Sequence, residues 1–220
     1  MGPRPRRPGR PALRVTHAAP LPRLHAITDE RVARRQDLDT VAQQLAAGGG
    51  HDLAFHARGR GLSGLAHYEL AVRLSAYPPA RLFVNDRLDV ALAAGAGGVQ
   101  LAGRSLDPEH ARRFNPSWWI GKSVHDLREA HAARVAGADY LLVGPVFRTA
   151  THPTHDPLGP GPLVALVGLG LPVIAIGGVT PQRVPELRAA GVYGVAAIRA
   201  LWEAADPAAT ARRMAQELTQ

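Results

Sequence analysis

The chain has 220 residues, of which 46% are hydrophobic and 5% aromatic, so it can form one large α/β domain or two small ones around an aliphatic core. It contains no cysteine, which excludes disulfides, thiolate catalysis and cysteine-ligated zinc, and no run of 18 apolar residues, which predicts that it does not span a membrane. The formal charge of +8 is unevenly distributed, because residues 1–22 hold five arginines and no acid. The rest of the chain carries about +3, which is ordinary for a soluble domain, so we expect no nucleic-acid partner.

Residues 1–22 differ from the rest of the chain in composition. They hold six of the 19 prolines and show no periodic apolar pattern. Such a segment cannot bury a core, so we predict a disordered basic tail at 1–22 and a single enzyme domain over 23–220. The tail lacks the apolar stretch of a secretory signal, and we expect a cytoplasmic protein.

From Arg23 onward, eight short apolar runs alternate with Ala-rich amphipathic segments. The runs predict strands at 24–28, 52–56, 81–85, 98–101, 119–125, 139–144, 172–178 and 194–198, and the segments between them predict helices that include 37–47, 64–76, 126–136, 181–190 and 206–218. Eight strand–helix units in about 200 residues are the count of a (β/α)8 TIM barrel. A doubly wound sheet of about six strands is the structural alternative.

The predicted seventh strand ends in a glycine pair that suits an anion. Gly177 and Gly178 close an apolar run, and Thr180-Pro181 then suits the first positions of a helix. In a (β/α)8 barrel, the active site lies at the C-terminal ends of the strands. Backbone N–H groups beside a helix N-terminus favour phosphate, so we predict a phosphate site at Gly177 and Gly178.

Six segments of the chain carry a family resemblance. They are Leu24-His-Ala-Ile-Thr-Asp29, Val99-Gln-Leu101, Ile120-Gly-Lys-Ser-Val-His125, Gly137-Ala-Asp-Tyr140, Gly144-Pro-Val-Phe147 and Pro172-Val-Ile-Ala-Ile-Gly-Gly178. In this order, over roughly residues 23–215, they resemble the thiamine phosphate synthase superfamily, and within it most closely the thiazole tautomerase branch. The resemblance implies a barrel enzyme of thiamine biosynthesis.

The resemblance also implies how the two branches differ. Synthases join a pyrimidine diphosphate to a thiazole phosphate and need magnesium held at two acidic positions. Asn85-Asp86 matches the first position, but Ser105 falls on the second and is a poor magnesium ligand because it is neutral. The loop lysine of synthases falls near His152. Their Gln-x-Arg-x-Lys pattern falls on Ala54, His56 and Arg58.

Two histidines are the candidates for proton transfer. His125 follows the fifth strand and shares a face with Ser123 by the period of two, and an imidazole can both take and give a proton. The resemblance places the proposed acid–base histidine of the tautomerases here. The alternative for His125 is a structural role at the start of the next helix. His56, at the end of the second strand, is the second candidate. The predicted ligand-binding residues are Gly177, Gly178, Arg199, Arg58, Ser123, Asn85, Thr149 and Thr151, the two threonines lying on a predicted lid.

Together with these residues, the resemblance therefore implies an isomerase that converts a carboxythiazole phosphate to its aromatic tautomer by general acid–base catalysis, without a metal or other cofactor. The alternative is thiamine phosphate synthase, a magnesium-dependent transferase with Asp86 as a metal ligand. A third hypothesis, from another class, is a non-catalytic regulator that binds a phosphorylated ligand. The expected ligand is a small phosphorylated thiazole, and a homodimer is compatible with the resemblance.

Overall fold

Eight parallel strands close into a barrel in the computed structural model, which describes residue 17, residues 19–149 and residues 156–219. The strands are β1 (Leu24–Ile27), β2 (Leu53–Ala57), β3 (Arg81–Asn85), β4 (Gly98–Leu101), β5 (Trp119–Val124), β6 (Tyr140–Val143), β7 (Val173–Ile176) and β8 (Gly194–Ala197). Closure is completed where Leu24 of β1 pairs with Val195 of β8. The predicted (β/α)8 barrel is confirmed, and the doubly wound sheet is excluded.

Helices lie between successive strands and after the last one. They are α1 (Glu30–Ala33), α2 (Leu38–Gly49), α3 (Gly64–Ser75), α4 (Leu88–Ala93), α5 (Pro108–Phe114), α6 (Leu127–Val135), α7 (Leu163–Val167), α8 (Val184–Ala189), α9 (Arg199–Trp202) and α10 (Pro207–Thr219). The helix predicted to begin at Pro181 instead starts with a 3₁₀ turn, Pro181–Arg183, and becomes α-helical at Val184. Within the described ranges, every helix is too short or too polar to cross a membrane.

The strands bury both of their faces, as their continuous apolar runs predict. On β1, Leu24 and Ala26 pack outward against the helices, while Ile27 joins the apolar cluster inside the barrel. His25, between them, also points inward, where its ring lies 5.8 Å from that of Phe83. The barrel interior is therefore a packed core that carries a few polar side chains, and the space for a ligand lies above it.

The end of the predicted tail is part of the barrel, so the predicted boundary at residue 23 is too late. Leu21 is 3% exposed and packs in the interior cluster. The Tyr193 hydroxyl donates to its carbonyl oxygen at 2.6 Å, and the Trp119 indole N–H donates to the Ala19 carbonyl oxygen at 3.1 Å. The composition of this segment does not indicate burial, because Leu21 is flanked by prolines and forms no periodic apolar pattern. Residues 1–16, which carry all five tail arginines, lie outside the described residues.

Candidate active site

A cavity of about 700 Å³ opens at the C-terminal ends of the strands. Nine of the residues singled out from the sequence line it: Arg58, Asn85, Asp86, Ser123, His125, Thr149, Gly177, Gly178 and Arg199. The barrel thus brings together side chains that are as much as 141 positions apart in the chain. Thr151 and His152 lie outside the described residues.

The glycine pair after β7 has two structural reasons to be glycine. Gly177 and Gly178 have φ angles of 98° and 63°, in the left-handed region that favours glycine. A Cβ atom on Gly178 would stand 2.5 Å from the carbonyl oxygen of Arg148, and one on Gly177 would stand 2.6 Å from the Cα atom of Pro145. The pair therefore allows the connection after β6 to pass closely over the end of β7, while its backbone still faces the cavity.

Within the described residues, five arginines line the cavity, and sequence reasoning found only two of them. Arg58 and Arg199 were predicted, whereas Arg60, Arg148 and Arg183 were missed. Burial, reinforced by the neighbouring charge of Arg60, lowers the pKa of Arg58. The acids on the cavity wall are Asp86 and Glu203, and Glu203 is paired with Arg31. The balance of charge in the cavity therefore favours an anionic ligand.

Two of these arginines are held in place by nearby groups. Arg183 donates to the carbonyl oxygen of Gly178 at 2.6 Å, and its guanidinium carbon lies 4.3 Å from the centre of the Phe147 ring. Arg199 begins α9 and donates weakly to the Thr149 hydroxyl at 3.4 Å. Arg199 thus lines the same cavity as the glycine pair and contacts the connection predicted to act as a lid.

His125 follows β5 immediately and lies on the cavity wall with Ser123, as the period of two predicts. Its Nδ1 atom lies 3.0 Å from the Glu129 Oε2 atom, which also accepts from the His125 backbone N–H at 2.9 Å. A carboxylate can only accept, so Nδ1 carries the proton and Nε2 of the neutral ring is free to accept one. Glu129 was missed because it sits on α6, four residues beyond His125; the i, i+4 spacing was the available signal.

His56 lies below the cavity and is fully buried. Its ring stacks on Phe83 with centroids 5.1 Å apart and lies between His25 and Asn85. Burial lowers the pKa of His56 well below its ordinary value. Among the two predicted histidines, only His125 lines the cavity. The placement of His56 is incompatible with direct proton exchange with a ligand, and the prediction of His56 as a second acid–base residue is corrected accordingly.

Asp86 stands at the junction of β3 and β4. Its backbone is left-handed, with φ of 60°, and its Oδ1 atom accepts from the Ala102 backbone N–H at 2.8 Å. Ser105 is not among the cavity-lining residues; its carbonyl oxygen accepts from the Lys122 ammonium at 3.2 Å. Lys122 thus points away from the cavity and secures the connection after β4.

Comparison with known proteins identifies the family. The thiamine monophosphate synthase family (TMP-TENI) matches residues 24–201. A thiamine-phosphate synthase of Salinispora tropica is 40% identical over 211 residues, which cover 90% of this chain and 98% of the relative. A putative thiamine-phosphate synthase 2 of Aquifex aeolicus is 35% identical over 182 residues, which cover 81% of this chain and 96% of the relative. The chain belongs to the thiamine monophosphate synthase family. The solved thiamine phosphate pyrophosphorylase of Pyrococcus furiosus is 30% identical, with a TM-score of 0.77 over 90% of this chain and 95% of that one.

The connection after β2 brings two cations to the cavity. Arg58 and Arg60 both line it, whereas Ala54 lies in the interior apolar cluster. The sequence prediction named Arg58 and missed Arg60, so it underestimated the positive charge at this end of β2.

The acids of this member do not fit a magnesium site with two carboxylates. Asp86 is the one acid at the expected place, and its Oδ1 atom is engaged by the Ala102 N–H. Ser105 provides no carboxylate, and Glu203 is paired with Arg31. In the described part of the chain, no three His, Asp or Glu residues are grouped closely enough to hold a metal ion.

Proposed function

We propose that this family member is an enzyme of thiamine biosynthesis that isomerises a carboxythiazole phosphate to its aromatic tautomer. The observation that carries the proposal is the His125–Glu129 pair on the wall of a cavity lined by five arginines. The pair supplies a proton acceptor with a fixed tautomer, and the arginines suit a ligand with both a phosphate and a carboxylate.

The two anionic groups of such a ligand have separate partners in the cavity. The Gly177 and Gly178 backbone and Arg199, after β7 and β8, suit the phosphate, in agreement with the usual place for phosphate in these barrels. Arg58 and Arg60 follow β2 and suit the carboxylate. A ligand bound at both ends would present its ring to the centre of the cavity.

His125 then moves one proton in two steps. Nε2 takes the proton from a ring carbon as the C–H bond breaks, and the Glu129 carboxylate stabilises the imidazolium through Nδ1–H. The same Nε2–H bond breaks when the proton is delivered to the side-chain carbon conjugated with the ring, which leaves the ring aromatic and restores the neutral histidine. The reaction consumes no co-reactant and leaves the net charge unchanged. The arginines stabilise the negative charge that develops between the two steps.

Thiamine phosphate synthase is the second candidate, and the names of the relatives favour it more directly than the first. The Salinispora tropica relative carries that name, and the five arginines would also suit a diphosphate. The acids weigh against it, because Ser105 replaces the second carboxylate. The non-catalytic regulator remains the third hypothesis and predicts binding without turnover.

Product analysis separates the candidates. The purified protein is incubated with the carboxythiazole phosphate tautomer, and separately with the pyrimidine diphosphate and thiazole phosphate, each with magnesium and with excess chelator. We expect isomerisation at the same rate in both conditions. Formation of thiamine phosphate with release of pyrophosphate, abolished by chelator, would establish the synthase and overturn the tautomerase. Binding of either set without any product would favour the regulator.

A further inference from the structure

Three polar side chains lie at successive levels inside the barrel. His25 of β1, His56 of β2 and Asn85 of β3 all point inward and are 0%, 0% and 8% exposed. The strand register places His56 opposite Ile27, one level above His25, and places Asn85 two residues above Phe83, which is opposite His56. The three side chains therefore lead from the lower part of the barrel interior to the cavity, which Asn85 lines.

Hydrogen bonds connect these side chains in order, from His25 to His56 to Asn85. The His25 Nε2 atom lies 2.9 Å from the Pro22 carbonyl oxygen, and its Nδ1 atom lies 2.7 Å from His56 Nε2. The other nitrogen of His56, Nδ1, lies 3.3 Å from the Asn85 carboxamide, placed with Oδ1 on this side. Asn85 also lines the cavity, so its carboxamide lies between His56 and the space for a ligand. Since the oxygen and nitrogen of a carboxamide have nearly the same shape, its orientation is decided by its partners.

The carbonyl at the bottom determines the direction of every bond above it. A carbonyl only accepts, so His25 carries its proton on Nε2. Burial lowers the pKa of His25 to about 4 and that of His56 well below its ordinary value, so each ring is neutral at pH 7 and has a single N–H group. His25 Nδ1 is then an acceptor, His56 donates to it from Nε2, and His56 Nδ1 is an acceptor in turn.

We propose that His25 and His56 are positioning residues that hold the Asn85 carboxamide with Nδ2 donating to His56 and Oδ1 facing the cavity. The opposite orientation would set two acceptors, Asn85 Oδ1 and His56 Nδ1, against each other at 3.3 Å. This part of the cavity floor therefore accepts a hydrogen bond, and it selects for a ligand that presents an N–H or O–H group there. The selection is the same for either candidate reaction, so it does not depend on which one is correct.

Nuclear magnetic resonance of the whole ¹⁵N-labelled protein tests the tautomers directly. At pH 7, long-range ¹H–¹⁵N spectra should show His25 and His56 both protonated at Nε2, with the signals assigned by single substitutions. Asn85→Asp replaces the donor by a carboxylate, so it should place a proton on His56 Nδ1. A wild-type spectrum with Nδ1–H on either ring, or with a charged ring, would overturn the proposal. This measurement needs no activity, so it stands if both candidate reactions fail.

Kinetics on the substrate set that the enzyme turns over test the consequence. With His25→Leu, His56 is free to move its proton to Nδ1 and reverse Asn85, so kcat/KM should fall about 5- to 10-fold, the worth of one hydrogen bond. His25→Gln can donate to the Pro22 carbonyl and accept from His56, so it should recover kcat/KM to within about twofold of wild type. Inorganic phosphate should bind both variants and wild type equally.

Each other outcome of this comparison counts against the proposal. Equal losses in His25→Leu and His25→Gln would show that His25 acts only through packing. Wild-type kcat/KM in His25→Leu, with the fold retained, would show that Asn85 needs no orientation. If His25→Leu does not fold, the wild-type and Asn85→Asp spectra decide.

Discussion

At the scale of single residues, the proposed catalytic role of His125 rests on its pairing with Glu129. His125→Asn keeps a side chain of similar reach but removes the proton acceptor, so turnover should fall by roughly 10²–10⁴-fold with little change in ligand affinity. His131→Asn, an exposed histidine on the same helix α6, is the matched control and should leave turnover unchanged. Steady-state kinetics measure both, and near-normal turnover in His125→Asn would remove His125 from the mechanism.

The phosphate site is better tested at Arg199 than at the glycine pair. Any side chain on Gly178 would press on the Arg148 carbonyl oxygen, so a loss of binding there would not distinguish an occupied anion site from a displaced loop. Arg199→Gln removes one charge from the cavity, and it should weaken phosphorylated ligands by about 10- to 100-fold, as for a charged hydrogen bond.

Arg188→Gln supplies the control for that experiment. Arg188 is exposed on α8, does not line the cavity, and its substitution changes the net charge by the same amount. Isothermal titration with the carboxythiazole phosphate compares the two variants. Equal affinities would place the phosphate elsewhere, whereas a loss in both would indicate a long-range charge effect.

At the scale of elements, the strands were predictable and the connections were not. Apolar β-branched runs fix the positions of buried strands such as β7, and the period of two placed Ser123 and His125 on one wall. Arg60, Arg148 and Arg183 lie beyond strand ends, where no period applies and where direction depends on how the chain turns. His56 shows what periodicity leaves open. The period of two predicts that its side chain faces the barrel interior, but it does not predict how far below the cavity the side chain lies.

The segment at residues 17 and 19–22 behaves as an element of the fold. A chain that starts at Arg23 would lose the burial of Leu21, the bond from His25 to the Pro22 carbonyl and the bond from Arg81 to the Pro20 carbonyl at 2.6 Å. One buried leucine and several hydrogen bonds are together worth about 3–5 kcal/mol. We therefore expect the thermal midpoint to fall by roughly 10 °C relative to a chain that starts at His17.

Calorimetry or circular dichroism on the two shortened chains and the full chain checks this prediction. The chain that starts at His17 keeps every contact described for the segment, so its midpoint should match that of the full chain. An unchanged midpoint in the chain that starts at Arg23 would show that the segment adds nothing to stability and would restore the boundary drawn from composition.

At the scale of the whole molecule, the barrel separates what the family shares from what this member changes. The aliphatic shell between strands and helices sets the fold, which the 30% identical pyrophosphorylase shares at a TM-score of 0.77. The charged side chains that line the cavity lie beyond the strand ends, where the shell does not constrain them. The fold and the overall sequence similarity therefore establish the family, whereas the choice between the two reactions rests on single residues such as Ser105. A homodimer stays a prediction.

Two of the buried histidines, His25 and His56, also make global stability depend on pH. His25 has a native pKa of about 4 against an ordinary 6.5, and the native pKa of His56 is lowered in the same direction, so the unfolded chain binds more protons between these values. The free energy of unfolding therefore rises with pH across this window and falls as pH drops from 6.5 towards 4. For His25 alone, the loss between pH 6.5 and 5 is about 1.5 kcal/mol, and His56 adds to it.

Urea unfolding at pH 7.5, 6.5, 5.5 and 5 measures this loss in a range where protonation of carboxylates, with ordinary pKa values near 4, contributes little. His25→Gln has no proton to take up at this position, so its free energy of unfolding should decline less steeply than that of wild type, by about 1.5 kcal/mol between pH 6.5 and 5. His51→Gln, at an exposed histidine before β2, should decline as wild type does. Parallel declines in wild type and His25→Gln would mean that His25 takes up a proton as readily in the native protein as in the unfolded chain, which would contradict the neutral, buried ring on which the hydrogen bonds to Asn85 depend.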